Sequence, residues 1–179
     1  TALLRREGVL PDGRRYLLRP SRDGDHLALF ALREAVAAEG GLIAAMPGDT
    51  TAAEAELAVV ALRADGGLSV VAEVDAAPVA HLMVRRRPGV YERHVAELAI
   101  IVDNGVRGGG IGTALIELAA DWCRAVGVDK LELCVFTGNT RAISLYHRCG
   151  FVDEGLRRDA VRVGGVSHDL RLMARSLHA

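Results

Sequence analysis

The stretch VRGGGIGTAL, Val106 to Leu115, spends four of its ten residues on glycine just ahead of a helical pattern, with Arg107 in front of them. Glycine there permits positive φ, lets another group approach the backbone and bares N–H groups. The first turn of a helix has N–H groups without partners and carries the positive end of the helix dipole. Together these make an anion site, whose usual guest is phosphate. Arg107 adds a permanent charge that can bond phosphate oxygens. A Walker A loop does not fit, because Gly112 is followed by Thr113 and Ala114 with no lysine. A dinucleotide fingerprint does not fit either, because Leu115 stands where its third glycine belongs. The spacing that fits is Arg-x-x-Gly-x-Gly, through Arg107, Gly110 and Gly112; a tight turn that binds nothing is the alternative.

An anion loop needs a strand before it and a helix after it, and the pattern supplies both. His94 to Val102 (HVAELAIIV) reads as a central strand, and Ile111, Leu115, Leu118 and Trp122 form one face of a helix from Gly110 to about Val126. Upstream, Arg14 to Arg19 is a strand closed by Pro20. A helix capped by Ser21 then runs to about Glu39, with Leu27, Phe30, Leu32 and Val36 among its buried positions. Gly40-Gly41 ends it, and an apolar loop leads to a second helix capped by Thr50 or Thr51. Strands follow from Leu68 and from Pro78. Downstream, Lys130 to Phe136 is a strand, Asn139 or Thr140 opens a helix ending at Cys149-Gly150, and two strands turn at Gly164-Gly165. The order β, α, α, β, β, β, α, β, α, β, β predicts a single α/β (α+β) domain over residues 1–179, a mixed and mostly antiparallel sheet flanked by helices.

Composition narrows the function. Charges nearly balance at a net −1 and aromatics make only 4%, which argues against a nucleic-acid or anionic-lipid surface. Apolar runs such as Leu98 to Val102 are far too short to span a bilayer, and the first residues lack a signal-peptide core. The cysteines Cys123, Cys134 and Cys149 are odd in number without CxxC spacing. They read as reduced thiols in a cytoplasmic protein, with no metal site.

The run ELAIIVDNGVRGGGIGTALIELAADWCRAVG resembles the acyl-CoA-binding motif of the GNAT superfamily of N-acyltransferases, and NTRAISLYHRCGFVDEG resembles its second cofactor-side motif, a helix ending in Tyr-x-x-x-Gly-Phe. The two motifs span about a third of the chain. The resemblance implies that acetyl-CoA is the co-substrate. Its pyrophosphate would be held by the N–H groups of Val106 to Thr113, through Arg107, Gly108, Gly109, Gly110, Ile111, Gly112 and Thr113. Its pantetheine arm would pair along Ala99 to Val102, with Ile101 and Val102 at the splayed end, and Asn139 would contact the cofactor. Tyr146 would lie near the thioester sulfur. Many relatives are dimers, so a homodimer through the last hairpin is implied too.

Acetyl transfer to an amine needs the amine neutral. With a pKa of about 10.4, roughly one lysine-type amine in 2,500 is free at pH 7, a handicap of about 4.6 kcal/mol. A base, direct or through water, and an acid for the leaving thiolate are therefore required. Glu97 is the candidate base. It shares a strand face with Val95, Ala99 and Ile101, so it is expected to be desolvated with a raised pKa. The alternative is an ion pair with one of Arg85 to Arg87; Glu132 is the reserve base. Tyr146 is the candidate acid, against a packing role. His81 and His94 read as packed or solvated, and Cys134, on a strand among apolar residues, as a buried inert thiol rather than a covalent acyl carrier. Arg85 to Arg87 read as a solvated strand end, with a cofactor 3′-phosphate contact as the sharper alternative. On the acceptor side, residues 40–49 would form one wall, and Glu34, Glu39, Glu54 and Glu56 could attract a cation. The expected activity is acetyl-CoA-dependent N-acetylation of a primary amine by direct transfer. A non-catalytic acyl-CoA sensor and a binder of another phosphorylated ligand are the other classes.

Overall fold

A computed structural model describes residues 4–178. One eight-stranded sheet runs through it in the order β1-β2-β3-β4-β5-β6-β8-β7. Its strands are β1 (Arg6–Val9), β2 (Arg15–Pro20), β3 (Leu68–Val74), β4 (Ala77–Arg86), β5 (Val95–Val102), β6 (Lys130–Phe136), β7 (Val152–Val163) and β8 (Val166–Ser176). The helices are α1 (His26–Ala38), α2 (Ala52–Ala64), α3 (Ile111–Ala125) and α4 (Thr140–Arg148). Every neighbouring pair is antiparallel except β5 and β6, which are parallel and therefore need the crossover that α3 provides. The expected mixed, mostly antiparallel sheet flanked by helices is what forms.

The larger core lies under α3. Ile111, Leu115, Ile116, Leu118 and Ala119 pack on Ala80, Leu82, Val84, Ala96 and Leu98, the inward positions of β4 and β5. A smaller core lies on the opposite face, where Leu29, Leu32 and Val36 of α1 cover Val71. The period of two along β5 thus sends Ala96 and Leu98 under α3 and turns Glu97 and Ala99 toward the α1–α2 side.

Three local expectations are corrected. The order had no strand before Arg14, but Arg6–Val9 forms β1 against β2 across the turn at residues 11–13. Ser21 does not cap α1; its hydroxyl bonds Ser69 Oγ at 2.7 Å, and Asp25 occupies the cap position. Leu27 is 63% exposed rather than buried, and Leu29 takes the core position instead. The second cap holds: Thr51 Oγ1 accepts from the Glu54 N–H while Glu54 reaches back to the Thr51 N–H. No helix among the described residues is long and apolar enough to cross a membrane.

Candidate active site

β5 and β6 pair only at Val95–Lys130, Ala96–Leu131 and Glu97–Glu132, although β5 continues to Val102 and β6 to Phe136. Beyond Glu97 the strands part. Leu98 to Val102 on one side and Cys134 to Phe136 on the other wall a cleft of about 840 Å³. The freed edge of β5 is a row of backbone groups without a strand partner, which an extended amide-bearing chain can pair with.

The glycine loop closes the far end of this cleft. Gly108 and Gly110 hold φ of +82° and +86°, and a Cβ on Gly110 would meet no protein atom within 4 Å. Gly109 and Gly112 serve packing instead. A Cβ on Gly109 would lie 2.5 Å from Leu10, and one on Gly112 2.9 Å from Leu145 of α4. Not every N–H from Val106 to Thr113 is available. Val106, Arg107 and Gly109 donate to carbonyls within the loop, to Asp103, Asn104 and Val106 in turn. Among the described residues, the N–H groups of Gly108, Gly110, Ile111, Gly112 and Thr113 have no backbone acceptor, and Gly110 caps α3. A cradle of free N–H groups on a helix N-terminus fits a pyrophosphate.

The guanidinium of Arg107 is not free for phosphate. Nη1 and Nη2 lie 2.6 and 2.5 Å from the two carboxylate oxygens of Glu39, and Nε donates to Val102 O at 2.9 Å. The cation that does face the loop is Arg141 of α4. Its Nη2 lies 3.4 Å from where a Gly108 Cβ would be, it lines the cleft, and it has no ion-pair partner among the described residues. Sequence reasoning passed over Arg141. The signal available was its position two residues after the helix cap Asn139, which sets it over the loop. Asn139 itself caps α4, its side-chain oxygen accepting from the Ala142 N–H at 3.2 Å, which orients the amide and leaves its NH2 group free to donate.

Glu97 lines the cleft where β5 and β6 diverge, but it is exposed. The expected desolvation is absent, because its strand face is the open one. The arginine alternative is not realised either. Among the described residues Glu97 has no ion pair, while Arg87 binds Glu132 and lies near Glu92. Glu132, the reserve base, is thereby held by Arg87. Arg85 and Arg86 stand opposite Glu97 and Ala96, toward the start of β5 and away from the glycine loop. Tyr146 is 7% exposed and packs on Phe151 with ring centroids 5.7 Å apart. Burial raises its pKa, keeping the phenol protonated. Its hydroxyl has no partner among the described residues, and no fully buried side-chain polar atom lacks one, so the hydroxyl meets the cleft. Packing and cleft-lining coexist in this residue. Cys134, expected to be buried, is instead exposed at the cleft wall, where partial desolvation raises its pKa.

The other half of the cleft is walled by α1, α2 and residues 42–45, with Leu29, Phe30, Ile43 and Val59 making it largely apolar. The expected acidic cluster disperses. Glu39 is clamped by Arg107, Glu54 caps α2, and Glu34 accepts from the Gly48 N–H at 2.7 Å. Glu56 lines the cleft 3.7 Å from His26.

Comparison with known proteins agrees with this geometry. The profile of the Acetyltransferase (GNAT) family matches residues 29–151. The L-amino acid N-acetyltransferase AaaT of Escherichia coli is 35% identical over 109 residues, 59% of this chain and 65% of that protein, so the chain spans just under two thirds of that relative's length. A ribosomal-protein-alanine N-acetyltransferase from Brucella melitensis superposes with a TM-score of 0.79 at 28% identity, over 89% of this chain and 98% of that one. A phosphinothricin acetyltransferase from Sinorhizobium meliloti, solved with AcCoA, shares the fold with a TM-score of 0.81 at 23% identity, over 89% and 86%. With the family profile laid over the splayed strands, the glycine loop and the Tyr146 helix, the chain belongs to the acetyltransferase (GNAT) family.

Proposed function

We propose that the protein is an acetyl-CoA-dependent N-acetyltransferase that moves an acetyl group directly to a primary amine. The observation that carries this reading is the parting of β5 and β6 beyond Glu97, with the glycine loop at the far end of the gap. The free N–H groups of Gly108, Gly110, Ile111, Gly112 and Thr113 would take the pyrophosphate, and Arg141 would add the positive charge. Arg107 and Gly109 would shape the loop rather than touch phosphate. The edge of β5 at Ile101 and Val102 would receive the pantetheine amides, with the Asn139 NH2 group beside them. The known relatives, named as L-amino acid and ribosomal-protein-alanine N-acetyltransferases, support the amine as acceptor.

In the proposed reaction, Glu97 takes the ammonium proton through water, as its exposed position suits. The neutral nitrogen then forms a bond to the thioester carbonyl carbon, its second proton passes to solvent, and the carbon–sulfur bond breaks. Tyr146 gives its proton to the departing sulfur and is reprotonated from solvent, leaving an amide and a free thiol. The described chain would act as one domain in the cytoplasm, which its three free cysteines suit. A homodimer along the edge strand β7 is supported by exposed Val152 and Leu156 on it. Following thiol release from acetyl-CoA with a panel of amines tests the activity. Release that depends on one amine class is expected; acetyl-CoA binding with no release for any amine would leave an acyl-CoA sensor.

A further inference from the structure

A rung of charge crosses β4, β5 and β6 at the point where β5 and β6 part. Arg85 stands opposite Glu97, and Glu97 opposite Glu132, so all three share the open face of the sheet. Glu97 and Glu132 form the last pair before the strands diverge. Neighbouring strands lie about 4.8 Å apart, so two carboxylates there titrate as a coupled pair, and one of them keeps a proton to higher pH. A carboxylate serves as base only when ionised, so an uncompensated Glu132 would handicap Glu97 in mild acid.

Arg87 compensates it by reaching over β5. It follows β4 by one residue, its N–H donating to Val95 O at 3.1 Å, and the period of two sets it on the face of Arg85. Its side chain goes past the strand of Glu97 to Glu132, two strands away: Nε donates to Oε1 at 2.9 Å and Nη2 meets the same oxygen. Glu97 lies within electrostatic reach of Arg87 but has no ion pair among the described residues. The neighbouring charges have other partners. Lys130 lies 3.9 Å from Glu132 Oε2 but binds Glu154 at 2.7 Å, and Glu92 lies 3.8 Å from Arg87. Across the cleft, His26 faces Glu56, Arg33 binds Glu34, Glu54 caps α2 and Arg63 binds Asp23. His81, on the same face of β4, is buried, which lowers its pKa to about 4 and leaves it uncharged at neutral pH.

We infer that Arg87 is a positioning residue for the proposed acetyl transfer: by holding Glu132 and cancelling its charge, it leaves Glu97 as the free carboxylate of the rung, able to act as base in mild acid. This rests on the acetyltransferase reading with Glu97 as base. Arg87 does not line the cleft and acts through Glu132. The pair is partly exposed, so its effect is modest and sensitive to salt. Cys134, two residues beyond Glu132, senses the same charges. Partial burial raises its pKa most, the charge of Glu97 adds to this against Arg157, and Glu132 adds further.

The test is the pH profile of kcat/KM at low salt, with every variant on the same amine so that the amine's own titration cancels. Arg87→Gln should move the acid limb up by about half a pH unit, a loss of about threefold on the limb with the plateau kept. Arg87→Lys, which keeps the charge, should stay near the native limb. Adding Glu132→Gln to Arg87→Gln should return the limb, and high salt should shrink the shift. An unmoved limb, a uniform fall at every pH, or a shift that Glu132→Gln does not reverse overturns the inference. Alkylation of Cys134 by iodoacetamide reads the same charges without turnover, because Cys123 and Cys149 are buried. Arg87→Gln should slow it about threefold at neutral pH, and the double variant should regain the native rate. If acetyl-CoA binds but no amine is acetylated, it is the enzymatic reading that fails, and the labelling decides by itself: slowing that Glu132→Gln reverses supports the charge clamp, and an unchanged rate overturns it.

Discussion

Arg107 forks onto Glu39, with nitrogen–oxygen distances of 2.6 and 2.5 Å, and the same side chain donates from Nε to Val102 O. One arginine thus ties the end of α1, on the acceptor side, to the end of β5 and the glycine loop, on the cofactor side. Its charge is spent on structure.

Arg107→Ala should therefore destabilise the fold by about 1–2 kcal/mol in denaturant unfolding. Glu39→Ala should cost nearly as much, and the double variant little more than either. The Arg107 hydrogen bond holds the Glu39 pKa below the ordinary carboxylate range. A lowered folded pKa means that the contribution is full above the unfolded value and disappears as pH falls through the folded one. The coupling should accordingly be present at pH 7 and lost in strong acid. Additive effects at pH 7 would contradict the clamp.

In the proposed site Arg141, which lies over Gly108, rather than Arg107, which is paired with Glu39, would face the phosphate. Arg141→Ala should weaken acetyl-CoA binding about tenfold or more and flatten its salt dependence, while Arg107→Ala should weaken it less. Calorimetric titration of both variants at two salt concentrations checks the order. A larger loss from Arg107→Ala would reverse the assignment.

The arrangement of strands and helices was legible because it rests on local pattern. The glycines, the Thr51–Glu54 box and the alternation in β5 all act within a few residues. β1 escaped because REGV has four residues, two of them charged, and only its pairing with β2 makes it a strand. The site was legible as a constellation and misjudged in its contacts. That Arg107 meets Glu39 rather than phosphate, or that Ser21 meets Ser69 rather than a helix terminus, depends on residues 68 and 48 positions apart. Glu97 was expected to be desolvated because its strand neighbours are apolar. Those neighbours line an open cleft, which a sequence period cannot distinguish from a packed face.

Glu97→Gln should lower kcat at pH 7 by about 10²–10⁴-fold and leave acetyl-CoA affinity nearly unchanged. The deficit should shrink as pH rises toward the pKa of the amine, where the free base no longer needs generating. A pH-rate profile of both proteins decides it, and unchanged turnover would place the base elsewhere.

Tyr146→Phe keeps the ring against Phe151 and removes a hydroxyl that has no partner among the described residues. Stability should change by less than about 0.5 kcal/mol. Turnover should fall by about 10–100-fold if the phenol protonates the leaving sulfur. A stability loss without a rate loss would mark it as packing alone.

Calorimetric titration of acetyl-CoA, with ATP and NAD as controls, tests the central claim most directly when run on the native protein and on Gly110→Asp. Gly110 has φ of +86° and opens onto the cleft, so an aspartate there sets negative charge against the cradle. The account predicts that the native protein binds acetyl-CoA and neither control, and that a folded Gly110→Asp, verified by circular dichroism, has lost that binding. No binding by the native protein, or undiminished binding by Gly110→Asp, would contradict it and leave VRGGGIGTAL as a turn.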